Sequence, residues 1–151
     1  MKITNNPPEK ILITGGSGFI GTHLINHFKI NYPGYEILNL SSKKPIAENL
    51  TKYWTECDIK DENKTQSYFS IFKPTSVIHL AAKANLKGKT IEDFPDNTIG
   101  TKNIVKSISR TSSVKKFIHT STQYVCKPGK YPSSDTDFDP YTAYGASKAE
   151  S

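Results

Sequence analysis

The sequence TGGSGFIG, from Thr14 to Gly21, is the strongest indication of the fold of this chain. It follows the apolar run Ile11–Ile13, which is typical of a buried strand, and it leads into a helical pattern. Glycine permits a tight turn at 15, close approach of a pyrophosphate at 18 and close helix packing at 21. A helix N-terminus also favours phosphate. This context predicts a dinucleotide-binding loop whose contact residues are Gly15, Gly16, Ser17, Gly18, Phe19, Ile20 and Gly21.

Beyond this loop, apolar runs alternate with helical patterns along the chain. The predicted strands are Ile11–Ile13, Tyr35–Leu40, Tyr53–Cys57, Val77–Leu80 and Phe117–Ile118. Four helices are predicted between or after these strands. The first is marked by Phe19, Ile20, Leu24, Ile25 and Phe28, and the second by Tyr68, Phe69 and Phe72 after an N-cap at Asp61. The third is marked by Ile99, Ile104, Val105 and Ile108, and the last is predicted to start at Asp139-Pro140, an N-cap followed by a first-turn proline. Such alternation predicts an α/β fold with a doubly wound, Rossmann-like parallel sheet that binds ligands at the carboxyl ends of its strands.

Length and composition are those of one soluble domain. The 151 residues fit one domain at roughly 100–200 residues each. No apolar run reaches the roughly 20 residues of a membrane span, so we expect no membrane partner. Residues 1–9 are polar and lack a signal-peptide core, which indicates a loose leader and a cytoplasmic location. Cys57 and Cys126 are isolated, so neither a metal site nor a disulfide is expected.

The net charge of +6 favours an anionic partner or a lysine-rich solvated surface. The sole arginine is Arg110, and the lysines are spread along the chain. Because no helix has the pattern of a basic recognition helix, we expect no nucleic-acid partner.

The tip after the second strand bears on the choice of cofactor. Dinucleotide sites usually carry an acid about 20 residues after the loop, which holds the ribose 2′-hydroxyl. Here the sequence is instead Leu40-Ser41-Ser42-Lys43-Lys44. The side chains of Ser41, Ser42 and Lys43 would suit a 2′-phosphate, which slightly favours NADP over NAD. The alternative is a polar loop that carries no information on the cofactor.

Tyr144 and Lys148 are four residues apart on the last predicted helix, so both face the same way. A tyrosine is a poor base at neutral pH, but a nearby ammonium stabilises its phenolate. The pair can then move a proton to or from a hydroxyl. Thr122 follows the fifth strand, where its hydroxyl can hydrogen-bond the reacting oxygen. These three residues are the predicted catalytic group.

Together, the glycine loop and Tyr144-Gly145-Ala146-Ser147-Lys148 resemble the extended short-chain dehydrogenase/reductases of the NAD-dependent epimerase/dehydratase family. Four further segments resemble family motifs. Asp58-Ile59 resembles the pair that contacts the adenine, and His79-Leu80-Ala81-Ala82 resembles a segment that lies beside the cofactor. Asn97, Gly100 and Thr101 together resemble the family's N-x-x-G-T motif, and Ser121-Thr122 resembles the serine/threonine member of the catalytic triad.

The resemblance implies hydride transfer between a nicotinamide and a carbon of a nucleotide-activated sugar. It implies that Tyr144 is the acid/base, that Lys148 orients the nicotinamide ribose, and that Thr122 polarises the substrate oxygen. It also implies a homodimer in the full-length enzyme. Family 4,6-dehydratases carry an acidic pair after the threonine, whereas this chain has Gln123 and Tyr124. The resemblance therefore favours an epimerase or a 4-keto reductase.

Members of that family are about twice as long as this chain. We therefore expect residues 10–151 to form an incomplete dinucleotide-binding domain, with the last strands and the substrate-binding lobe absent, and to have no turnover alone. Two alternatives stay open. One is an oxidoreductase of the same family that acts on a non-sugar carbonyl, and the other is a non-catalytic nucleotide-binding sensor or regulatory module.

Overall fold

Five parallel strands form the centre of the computed structural model, which describes residues 8–151. The strands are β1 (Lys10–Thr14), β2 (Glu36–Ser41), β3 (Trp54–Glu56), β4 (Ser76–His79) and β5 (Lys116–His119). Their order in the sheet is β3-β2-β1-β4-β5. The order reverses between β1 and β4, which is where doubly wound sheets bind ligands. The predicted doubly wound parallel architecture is confirmed.

Four α-helices connect or follow the strands. They are α1 (Phe19–Asn31), α2 (Glu62–Phe72), α3 (Thr101–Ser109) and α4 (Ala143–Glu150). A π-helical turn, Asp96–Gly100, leads into α3, and a 3-10 turn, Gln123–Val125, follows β5. Within the described residues, no helix has the length and apolar character needed to cross a membrane.

The core divides between the two faces of the sheet, as the alternation of strand side chains requires. On one face, Leu12 and Val77 pack with Phe69 of α2 and Ile104 of α3. On the other face, a second cluster packs against α1, and its members are Ile11, Ile13, Ile25, Leu50 and Ile78. Burial on both faces explains why these strands are continuous apolar runs.

Helices α1 and α3 form where the spacing predicts them, but some of the apolar residues that mark them are exposed. Phe19 and Ile20 are 81% and 59% exposed, so α1 packs through Ile25 and its neighbours. Ile99 and Val105 are also exposed, because α3 buries polar residues beside Ile104. Helical spacing identifies a shared face, but it does not show that this face meets the sheet.

The predicted start of the last helix at Asp139-Pro140 was wrong. The helix begins at Ala143, and the Thr142 hydroxyl caps it by accepting the Gly145 N–H at 2.9 Å. Asp139 instead forms a β-bridge with Cys126 and an ion pair with Lys127. These contacts join the two ends of the segment 126–140.

The leader predicted for residues 1–9 has its first seven residues outside the described part of the chain. Glu9 belongs to the fold. Its carboxylate accepts hydrogen bonds from Thr75 and Ser76, and its carbonyl accepts the N–H of Glu36.

Candidate active site

A cavity of about 310 Å³ lies at the carboxyl edge of the sheet, within the size range of small-molecule sites. Most of the residues predicted to bind the cofactor line it, namely Gly15, Ser17, Gly18, Ser41, Ser42, Lys43, Asp58, Ile59, Leu80, Ala81 and Ala82. It is also lined by three residues that were not predicted to bind the cofactor, Leu40, Cys57 and Asp96. The predicted residues outside its lining are Gly16, Phe19, Ile20, Gly21, Asn97, Tyr144 and Lys148.

Three residues of the glycine loop line this cavity, namely Gly15, Ser17 and Gly18. Gly15 has φ +69°, a conformation that favours glycine, and an added Cβ would lie 2.7 Å from the backbone nitrogen of Ala81. Gly18 has φ −79° and ψ 179°, and an added Cβ would meet only the Gly15 carbonyl oxygen, at 3.3 Å. Gly15 is therefore required by the fold, whereas the space at Gly18 is open to a ligand.

The first turn of α1, which follows the cavity-lining residue Gly18, has free amides. No side chain caps this helix, and its first turn holds no acidic residue. The N–H groups of Phe19, Ile20 and Gly21 have no acceptor inside the helix, because an α-helix bonds its N–H groups only from the fourth residue onward. The exposed side chains of Phe19 and Ile20 therefore do not weaken the backbone contribution that the loop motif predicts.

A buried asparagine below the loop was missed by the sequence analysis. Asn39 is fully buried in β2, and its amide nitrogen donates to the Ser17 hydroxyl at 3.1 Å. Its oxygen accepts the Ser41 hydroxyl at 2.7 Å, and Ser41 Oγ accepts the Ser17 N–H at 3.3 Å. This network connects the tip of β2 to the phosphate loop. A polar residue inside the apolar run Tyr35–Leu40 was the available signal.

Of the three residues predicted to bind a 2′-phosphate, this network engages Ser41 but not Ser42 or Lys43. Ser41 is 6% exposed, and its single hydroxyl hydrogen is used by Asn39. Ser42 and Lys43 are exposed at the rim of the cavity. Only these two side chains are free to reach a ligand group on the ribose.

Asp58, which also lines the cavity, belongs to an ionic cluster. Its Oδ1 lies 3.0 Å from the Lys60 ammonium, which also lies 3.0 Å from Asp96 Oδ1. Burial opposes ionisation of Asp58, but the N–H and ammonium of Lys60 outweigh it and lower the pKa of the carboxyl. Ile59 is buried beside it, and an added Cβ on Gly100 would lie 2.5 Å from the Ile59 side chain.

Asn97 connects the cavity side of the sheet to α4. It is fully buried, and its amide nitrogen donates to the Ser147 hydroxyl at 2.8 Å. Its two amide atoms also bond the backbone N–H and carbonyl of Lys83, at 2.8 and 3.1 Å. Asn97 therefore holds Lys83 and Ser147 in place by hydrogen bonds and does not itself line the cavity.

The structure brings Thr122 close to the helix that carries Tyr144. The Thr122 hydroxyl accepts the Tyr124 N–H at 3.3 Å and so caps the 3-10 turn after β5. Helix α4 packs on this turn, and the Tyr124 and Tyr144 rings lie 6.0 Å apart, edge to face. At Gly145 an added Cβ would overlap the carbonyl oxygen of Tyr124.

We expect Gly145→Ala to destabilise the fold by about 1–3 kcal/mol, because the helix must move away from the turn. The measurement is the free energy of unfolding in urea. Gly34→Ala is the matched control, because an added Cβ there meets nothing within 4 Å and its effect should stay within about 0.5 kcal/mol. Equal stability of the two variants would contradict the close packing of α4 on the turn.

Lys148 is buried one helical turn after Tyr144. It is 5% exposed, and burial lowers the pKa of its ammonium to about 8. Its Nζ lies 3.1 Å from Nε2 of His119, a β5 residue that the sequence analysis did not single out. His119 in turn stacks on His79 of β4, with ring centroids 5.3 Å apart.

The comparisons with known proteins agree with this architecture. The model of the NAD dependent epimerase/dehydratase family matches residues 11–151. The chain belongs to that family.

Alignments with individual relatives show what share of a family member's length this chain covers. The chain is 30% identical to the dTDP-glucose 4,6-dehydratase of Neisseria meningitidis serogroup B, over 95% of this chain and 47% of the relative. It is 32% identical to the UDP-glucose 4-epimerase of Mycolicibacterium smegmatis, over 92% of this chain and 48% of the relative. The crystal structure of Thermus thermophilus UDP-glucose 4-epimerase in complex with NAD superposes with a TM-score of 0.73 at 29% identity, covering 93% and 47%. The chain spans about half the length of these relatives.

Proposed function

We propose that this chain is the cofactor-binding part of an enzyme that uses a nicotinamide dinucleotide to epimerise or reduce a nucleotide-activated sugar. One observation carries the proposal. Tyr144 and buried Lys148 lie one turn apart on α4, at the same edge of the sheet as the glycine-loop cavity, and Thr122 caps the turn on which α4 packs. A nucleotide-binding sensor would need the cavity but not these three groups.

The residues of the cavity fit a dinucleotide. The open space at Gly18 and the free amides of the first turn of α1 suit a pyrophosphate. The apolar residues Leu40, Ile59 and Ala81 suit the adenosine end. A nicotinamide dinucleotide bound there supplies hydride exchange with a carbon of the sugar.

The protein residues contribute proton transfer and positioning. The Tyr144 hydroxyl exchanges a proton with the substrate hydroxyl whose carbon is oxidised or reduced. The positive charge of Lys148 favours the tyrosine anion and binds the ribose hydroxyls. The Thr122 hydroxyl donates a hydrogen bond to the reacting oxygen.

Epimerisation or 4-keto reduction is favoured over 4,6-dehydration by the two residues after Thr122. Dehydration needs an acid and a base to remove water, and Gln123 and Tyr124 supply no carboxylate there. The test uses the whole protein with UDP- and dTDP-sugars, NAD or reduced cofactor, and product analysis by proton NMR. An epimer or a reduced sugar is expected. A 4-keto-6-deoxy product would overturn this assignment, because only dehydration forms it from the parent sugar.

The choice between the two cofactors depends on the rim residues. We expect NADP to bind somewhat more tightly than NAD, because no described carboxylate at the tip of β2 repels a 2′-phosphate and Lys43 is exposed there. Calorimetric titration of both cofactors measures the preference. Ser42→Ala with Lys43→Ala should remove it, and Lys44→Ala is the control outside the cavity lining. Tighter NAD binding that is unaffected by these substitutions would contradict the prediction.

A further inference from the structure

The ammonium of Lys148 is buried without a carboxylate beside it. Among residues 8–151, no Asp or Glu oxygen lies within 4 Å of its Nζ, and its one hydrogen-bond partner is His119 Nε2. A buried charge needs such partners, because burial otherwise favours the neutral form. His119 is therefore the group that solvates the Lys148 ammonium within this part of the chain.

The chemistry of the two groups determines the form of the imidazole. An ammonium only donates hydrogen bonds, so Nε2 presents its lone pair and the ring proton resides on Nδ1, which is buried and has no hydrogen-bond partner among the described residues. The Ser151 hydroxyl lies 3.2 Å from Nε2, but it donates its hydrogen to the Lys148 carbonyl at 3.0 Å. It therefore does not compete with the ammonium for the lone pair.

The surroundings of His119 keep its ring neutral. The titratable groups that face it are His79 from β4 and Lys148 from α4. Both nitrogens of His79 are occupied, at 2.5 Å from the Thr14 hydroxyl and 3.0 Å from the Thr101 hydroxyl. Burial, followed by the charge of Lys148, lowers the pKa of His119 to about 4. A neutral acceptor is therefore available at physiological pH.

We propose that His119 is a positioning residue for Lys148. In its Nδ1–H tautomer it accepts a hydrogen bond from the ammonium and holds that group at the carboxyl edge of the sheet, one helical turn from Tyr144. The catalytic relevance of this role rests on the proposed function, in which Lys148 contacts the ribose. The contact itself is a property of the chain and can be measured without a cofactor.

The tautomer of His119 is the direct test and needs no substitution in the protein that is measured. Long-range proton–nitrogen NMR spectra of residues 1–151 resolve the two ring nitrogens, and His119→Phe assigns them by loss of the signal. We expect a protonated Nδ1 and an unprotonated Nε2 at neutral pH. A proton on Nε2 would overturn the proposal, since that nitrogen cannot then accept from an ammonium.

A second measurement follows the charge of Lys148. Carbon NMR of labelled lysine gives its titration, assigned through Lys148→Met. We expect His119→Phe to lower the pKa of Lys148 by about one pH unit, the effect of losing one charge-assisted hydrogen bond. His119→Gln, which retains an acceptor oxygen, should bring the pKa back toward that of the parent. His27→Phe, the same exchange at an exposed helix position, should leave it unchanged. Equal Lys148 titrations in the parent and in His119→Phe would overturn the proposal.

Cofactor titration separates this proposal from the function on which its relevance rests. If both hold, His119→Phe binds NAD about tenfold more weakly than the parent near neutral pH, and His119→Gln does not. If the parent binds neither NAD nor NADP while its Lys148 titration responds to His119→Phe, the proposed function fails and the positioning role stands. A melting curve of each variant shows that the comparison is made between folded proteins.

Discussion

Gly18→Val is expected to weaken dinucleotide binding by about two orders of magnitude while preserving the fold. The backbone at Gly18 is extended, and an added Cβ meets only the Gly15 carbonyl oxygen at 3.3 Å. An added Cβ therefore needs only a small shift of that oxygen, and we expect the methyl groups of valine to occupy the space proposed for the pyrophosphate. Losing two hydrogen bonds to a charged group, at about 1.5 kcal/mol each, lowers the affinity by a factor on the order of 100.

Calorimetry with NAD and NADP measures this loss, and urea unfolding measures the stability. Gly34→Val is the control, because Gly34 also has open space around it and lies outside the cavity lining. Unchanged cofactor affinity in Gly18→Val would contradict the assignment of the loop as the phosphate site. A large loss of stability in the same variant would contradict the account of Gly18 as a position left open for a ligand.

Tyr144→Phe is expected to lower turnover of the whole protein by about 10²- to 10⁴-fold, the usual contribution of one general acid–base group. The substitution removes only the hydroxyl. The ring keeps its contacts with Phe94 and Tyr124, so the fold and the cofactor affinity should change little. Turnover is measured by nicotinamide absorbance or product NMR at saturating nucleotide sugar.

Tyr141→Phe is the matched control, since Tyr141 stacks on Tyr124 and is 51% exposed, and the same atom is removed. We expect it to leave turnover unchanged. If the two variants are equally active, Tyr144 is not the proton-transfer group. The alternative of a nucleotide-binding sensor then gains support, provided that cofactor binding is retained.

One incorrect prediction comes from forces that act between segments distant in sequence. Asp139-Pro140 has the local chemistry of a helix start, but an ion pair with Lys127 and a bridge to Cys126 hold Asp139 elsewhere, and Thr142 caps the helix. Phe19 and Ile20 fit the helical spacing, but the position of α1 on the sheet leaves them exposed. Local pattern cannot show which part of the chain a segment will meet.

Sequence alone predicts the strand–loop–helix unit at Thr14–Gly21, the alternation that forces a parallel sheet, and the spacing that places Tyr144 and Lys148 on one helix face. These features depend on neighbouring residues, because backbone conformation and side-chain periodicity are local properties. The contact of Asn39 with the phosphate loop and that of His119 with the Lys148 ammonium emerge only in the folded chain. Asn39 lies 22 residues from Ser17 and His119 lies 29 from Lys148, so each buried polar group acquires its partner only when the sheet forms.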